Sequence, residues 1–153
     1  MANNKLLATD AIAKALRLRK RLCIPMEESV SALDAAENLG IEVRLIDLPS
    51  MEGMYVSGSA PKIMLSSLRP QGRRNFTCAH EIGHHIFEHG EQFDELTIEK
   101  STLRKHDPKE YSADCFAAYF LMPKTTIDSG MKRRGLTYET LEPTQVYALA
   151  SWL

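Results

Sequence analysis

The side chains best suited to chemistry are His80, Glu81 and His84, in the run His80-Glu81-Ile82-Gly83-His84. On a helix, residues i and i+4 differ by about 40° around the axis and stand one turn apart, so both imidazoles can reach a single ion. Glu81 falls about 100° from His80, beside such an ion, where a carboxylate can take a proton from zinc-bound water. Phe76, Ala79, Ile82, Gly83, Ile86 and Phe87 share an arc of roughly 140° that begins on the far side of the same helix. That arc is expected to face a core and to leave the histidines on a separate stripe toward a cleft.

Catalytic zinc generally has three protein ligands and an open fourth position. The third is expected from another element, and Glu110-Tyr111-Ser112-Ala113-Asp114 offers one, its two carboxylates again at i and i+4. Ala113, Phe116, Ala117 and Phe120 mark the core side of that helix. Glu110 is therefore expected as the third ligand. Asp114 is expected to accept an N–H from a ligating histidine and so fix its tautomer. A purely structural zinc is disfavoured, because such sites are closed by four ligands, often cysteines, and have no use for Glu81.

Other reactive side chains fall off this stripe. By helical extrapolation His85 lies about 100° past His84, reading as a surface histidine, and His89 about 180° from His80, so neither joins the cluster. Cys78, about 160° from His80, and Cys115, about 140° from Glu110, read as ordinary thiols. His106 reads as a solvated loop residue. An oxyanion-stabilising donor is also expected. Tyr111, about 100° from Glu110, and Tyr55, from the sheet, are candidates, while Tyr119 is on the opposite face; the spacing does not choose.

The elements that must position these groups can be read from periodicity and punctuation. Thr9 or Asp10 can cap a first helix running to about Leu22, and a second is expected over 26–39, closed by Gly40. An alternating strand follows over 41–46, then a turn at 49–53 and strands at 54–57 and 62–65, which together predict a three-stranded meander. Lys62-Ile63-Met64-Leu65-Ser66 is expected as an edge strand able to pair with an extended substrate. The zinc-site helix is expected over 73–89. The polar stretch 91–107 reads as a loop and a candidate lid. Asp107-Pro108 is a cap followed by a first-turn proline, opening a helix that stops before Pro123; helices at 124–134 and from Pro143 complete the chain. The basic clusters at 17–21 and 132–134 read as solvated helix faces.

The expected fold class is α+β: a small, mainly antiparallel three-stranded sheet packed on the zinc-binding helices, with an N-terminal helical pair and short C-terminal helices. A length of 153 residues fits a single domain over 1–153. The last ten residues read as a helix cut short, which predicts further native sequence beyond them. With a formal net charge of −1, no whole-molecule field favours nucleic acid, membrane or an acidic substrate. The N-terminus lacks the apolar core of a signal peptide and no apolar run is long enough to span a bilayer. Three cysteines, none in a CxxC pair, suit a reducing compartment, so a cytoplasmic location is expected.

Two stretches, Arg74-Asn-Phe-Thr-Cys-Ala-His-Glu-Ile-Gly-His84 and Glu110-Tyr-Ser-Ala-Asp-Cys-Phe-Ala-Ala-Tyr-Phe-Leu-Met-Pro123, resemble the ImmA/IrrE metallo-endopeptidases, whose site design is related to that of the thermolysin-like zinc peptidases. The likeness covers nearly the whole chain. It implies a zincin-like fold, one Zn2+ held by His80, His84 and Glu110, and Glu81 as general base. Members often carry asparagine where Asp114 stands. The resemblance also implies a protein substrate, plausible for such a family as a helix-turn-helix transcriptional repressor. The runner-up reading is a non-catalytic regulatory or protein-binding module that keeps the zinc fold.

Overall fold

A computed structural model describes residues 2–95 and 107–150. Helix α1 (Ala2–Arg21) begins well before Thr9. The Thr9 hydroxyl turns back to the Lys5 carbonyl at 2.8 Å, so it satisfies a group inside the helix and caps nothing. Ala11, Ala15 and Leu18 bury one face, and Cys23, with φ of 56°, ends the run. The basic cluster divides: Arg17, Lys20 and Arg21 are exposed, while Arg19 is fully buried. Its guanidinium donates to the carbonyls of Phe120, Pro25 and Glu28 at 2.6, 2.5 and 2.6 Å. The expected solvated face is thus interrupted by a cation that fastens α1 to two distant stretches of backbone.

Helix α2 (Ala32–Asn38) is shorter than 26–39, because Ser31 accepts from the Asp34 amide at 3.2 Å and starts the helix there. Gly40, with φ of 77°, closes it. Four strands follow: β1 (Glu42–Ile46), β2 (Met51–Val56), β3 (Lys62–Ser66) and β4 (Gln92–Glu95), in the spatial order β1-β3-β2-β4. The class is α+β and the sheet is mixed. Strand β3 runs parallel to β1, and β2 runs antiparallel to both β3 and β4.

The sheet corrects two expectations. The three-stranded meander does not form: β1 is largely exposed and takes an outer place, while β2 is largely buried and takes an inner one. Lys62, Ile63, Met64 and Leu65 pair with β1 on one side and β2 on the other, and Ser66 pairs with β1. With both flanks hydrogen-bonded, residues 62–65 have no free edge for an extended peptide, and Ser66 is paired on its β1 side. The fourth strand falls in the stretch expected to be a polar loop; Gln92–Glu95 is too short to show a period of two, and its pairing with β2 is what makes it a strand.

Helix α3 (Gln71–Ile86) lies on β2 and β3, and α4 (Pro108–Leu121) packs on α3 and α1. Arg73 at the start of α3 donates to Glu52 of β2 at 2.9 Å, and the Asn75 side chain both accepts from the Ala32 amide at 2.7 Å and donates to the Val30 carbonyl at 3.0 Å. These contacts fasten α3 to the sheet and to α2. Asp107 caps α4 through the Lys109 amide at 2.8 Å, with Pro108 in the first turn. Helices α5 (Lys124–Arg133) and α6 (Pro143–Ala150) follow. The core joins Ala15, Ile63, Leu65, Ile82, Phe116 and Phe120. No helix among the described residues is long and apolar enough to cross a membrane.

Replacing Arg19 with leucine removes the partner of three carbonyls, so the variant is expected to lose roughly 2–4 kcal/mol of unfolding free energy. Denaturant titration of Arg19→Leu against the wild type measures this, and a loss within experimental error would refute the structural role.

Candidate metal centre

The centre is built where α3 crosses α4. On α3, His80 is 5% exposed, and Glu81 and His84 have no exposed surface. On α4, Ala113, Phe116, Ala117 and Phe120 are all buried, which turns Glu110 toward α3. Two glycines create the room. A Cβ on Gly83 would stand 3.1 Å from the Ala113 Cα and 3.2 Å from Phe116 Cδ1, so the absence of a side chain lets the two helices meet. A Cβ on Gly53 of β2 would stand 2.5 Å from Thr77 Cγ2 and 2.8 Å from Glu81 Oε1, so the bare strand leaves the space that the Glu81 carboxylate occupies. Gly53, expected in a turn, is a strand residue of ordinary φ whose value lies in what it omits.

The geometry brings His80, His84 and Glu110 to one point. His80 Nε2 and His84 Nε2 are 3.0 Å apart, and the two Glu110 oxygens stand 3.4 Å from them, Oε2 by His80 and Oε1 by His84. A tetrahedral zinc about 2.0–2.1 Å from each ligand holds its ligand atoms about 3.3 Å apart. The donor set is also right in kind, two imidazoles and a carboxylate, and these three residues form a cluster that can hold a metal ion.

The outer nitrogens are engaged as well. His80 Nδ1 lies 2.9 Å from Asp114 Oδ1 and His84 Nδ1 lies 2.9 Å from His89 Nδ1. Burial by itself would push the His80 imidazole down. Hydrogen bonds to Asp114 and Glu110 and the charge of Glu81 overcome this and hold it up at about 9. The pocket therefore favours positive charge where the three ligand atoms converge.

His89 is the residue that helical extrapolation misplaced. Helix α3 ends at Ile86, and Glu88 takes a left-handed φ of 55° before Gly90 at 83°. The chain folds back, the His89 amide donates to the His84 carbonyl at 3.0 Å, and the ring stacks on Phe87 with centroids 5.2 Å apart. The pair of left-handed residues was the missing signal, and only Gly90 advertises its half of it. Burial, joined by the charge of Lys109, lowers the His89 imidazole from its ordinary range, which suits a neutral ring.

The remaining candidates lie elsewhere. His85 is half-buried, its Nδ1 2.7 Å from the Tyr55 hydroxyl, so it ties α3 to β2 and Tyr55 is engaged there. Cys115 beside Tyr111 holds its hydroxyl above the ordinary range, and Tyr119 is 41% exposed on the outside of α4. Burial and the charge of Glu81 raise the Cys78 thiol to about 12, which keeps it protonated and unreactive. His106 lies outside the described residues, as does most of the stretch 91–107.

The comparison with protein families matches the chain over residues 36–149 to the peptidase family M78, described as the IrrE N-terminal-like domain. That span holds the sheet, the two site helices and all the residues of the cluster. Among curated proteins no significant match is found.

Gly83→Ala tests the close approach of the helices. The added methyl is expected to cost about 1–3 kcal/mol in overpacking, against a gain in helix propensity of up to about 1 kcal/mol. Metal affinity is expected to fall more than melting temperature, since a few tenths of an ångström between α3 and α4 opens the ligand triangle. Titration with zinc beside a thermal melt checks this, and unchanged affinity would count against the packing account.

Proposed function

The chain belongs to the IrrE-like M78 peptidase family, and from that premise we propose that it is a zinc-dependent endopeptidase hydrolysing a peptide bond of a specific intracellular protein, plausibly a helix-turn-helix transcriptional repressor. The observation that carries this reading is the convergence of His80 Nε2, His84 Nε2 and the Glu110 carboxylate to 3.0–3.4 Å, with a second carboxylate, Glu81, one residue along the same helix. A bound zinc ion supplies Lewis acidity toward water and toward the scissile carbonyl.

The chain's own residues supply the rest. His80, His84 and Glu110 hold the ion. Asp114 keeps the His80 ring in the tautomer that offers its Nε2 lone pair inward. Glu81 is the general base: it takes the proton of the attacking water and delivers it to the leaving amine. Its carboxylate lies against Gly53 of β2. Because β3 is paired on both sides over residues 62–65, the substrate strand must be met elsewhere than there.

The runner-up reading, a regulatory module that keeps the zinc fold without cleaving, has one observation in its favour: Glu81 and His84 have no accessible surface. The two readings separate in a single comparison. Zinc-loaded protein is incubated with candidate repressors and the products are weighed by intact mass, beside Glu81→Gln and a chelator-treated sample. Glu81→Gln is expected to keep its zinc and lose at least about 100-fold in cleavage rate, with chelation abolishing it. Cleavage by the variant at the wild-type rate would overturn the assigned base, and no cleavage of any candidate by the wild type would favour the regulatory module. Gly53→Ala should lower the rate in the same assay with the zinc content unchanged, because its methyl would meet Thr77 Cγ2 and Glu81 Oε1 and none of the three ligands.

A further inference from the structure

His84 and His89 meet through like atoms. Their Nδ1 nitrogens are 2.9 Å apart, so one ring must donate its proton and the other must accept. The direction of that bond decides what His84 can offer at its other nitrogen. When His84 donates from Nδ1, its Nε2 carries a lone pair aimed at His80 Nε2 and Glu110 Oε1, and His89 must hold its own proton on Nε2. When His89 donates, the neutral His84 ring carries its proton on Nε2, where it occupies the coordinating position. We propose that His89 is a positioning residue: by accepting at Nδ1 it locks His84 in the tautomer that can ligate. The inference rests on the metal-centre reading above.

The surroundings hold His89 in that role. Its amide donates to the His84 carbonyl at 3.0 Å, and its carbonyl accepts from Lys109 at 3.2 Å, the residue next to the ligand Glu110. The ring stacks on Phe87, which in turn carries the Lys14 ammonium 4.3 Å from its centroid. Position and ring plane are thereby set from α1, α3 and α4 together. The two ligating histidines are consequently supported in different ways. His80 has a carboxylate partner, the largely exposed Asp114, whereas His84 is fully buried with an imidazole partner. A neutral acceptor orients the second ligand without adding another negative charge to a pocket that already holds Glu81, Glu110 and Asp114.

The test uses metal-free protein titrated with zinc against a chromophoric chelator, with cobalt absorption as the report on ligand geometry and a thermal melt of each metal-free variant. His89→Phe retains a ring for the Phe87 stack and removes the acceptor. It is expected to bind zinc about 10–100-fold more weakly with an altered cobalt spectrum, while melting near the wild type. His89→Asn and His89→Leu form a second pair of similar size, both without the ring, differing in the acceptor. The asparagine variant is expected to bind roughly ten-fold or more tightly than the leucine variant, which keeps the test decisive if His89→Phe folds poorly. Wild-type affinity in His89→Phe, or equal affinity in the Asn and Leu variants, would overturn the proposal while leaving the metal centre standing. Failure of the wild type to bind either ion would instead bring down the metal-centre reading, and this proposal with it.

Discussion

Everything in the site depends on how closely α3 can approach α4. Two imidazoles one turn apart are a local property of a helix, but the carboxylate that completes the set arrives on a second helix, and ligand atoms must meet within a few tenths of an ångström. Gly83 eases that meeting, since a Cβ there would stand 3.1 Å from the Ala113 Cα and push the helices apart by a few tenths of an ångström. The neighbouring Ala113 and Ala117 keep the facing surface of α4 low, and Phe116 and Phe120, stacked 5.6 Å apart, fill the space to either side. Small residues at the crossing and large ones beside it are what a close-packed interior requires when two helices must approach.

The same frame explains why the polar cluster tolerates burial. Uncompensated charge inside a protein is costly, and each polar group here is placed within reach of another. His80 lies between Asp114 and Glu110, His84 between Glu110 and His89, and Lys109 fastens the start of α4 to the segment that follows α3. Negative charge predominates around the convergence point, which leaves a place suited to a cation. Farther out, Arg19 performs the complementary task. It joins α1 to the end of α4 through the Phe120 carbonyl, so the helix that carries Glu110 is held at its far end as well.

Membership of the M78 family extends over the sheet and both site helices, while the whole of α1 lies ahead of the matched span. Yet α1 contributes Ala11, Ala15 and Leu18 to the core and lies along α4. The helix outside the matched span is therefore a structural partner of the one that carries Glu110, and Lys14 brings it within reach of Phe87 beside the His84–His89 pair.

What could be read from residues alone was whatever short-range geometry encodes. The i, i+4 spacing of His80 and His84 and of Glu110 and Asp114, the Asp107-Pro108 start of α4 and the apolar stripe of Ala113, Phe116, Ala117 and Phe120 all express one helical period, and a period is visible without a fold. The α+β class and most element positions follow from the same signals. Periodicity could not find a residue whose role begins where a helix ends: His89 was extrapolated along an axis that stops at Ile86. Nor could it find the purpose of Gly53, which depends on a carboxylate from another element, or the inner position of β3, which depends on the partners the chain brings to its two flanks. Local pattern determines which side chains share a face, and only long-range packing decides which faces meet, because the free energy of a contact belongs to both partners and a stretch of sequence carries one of them.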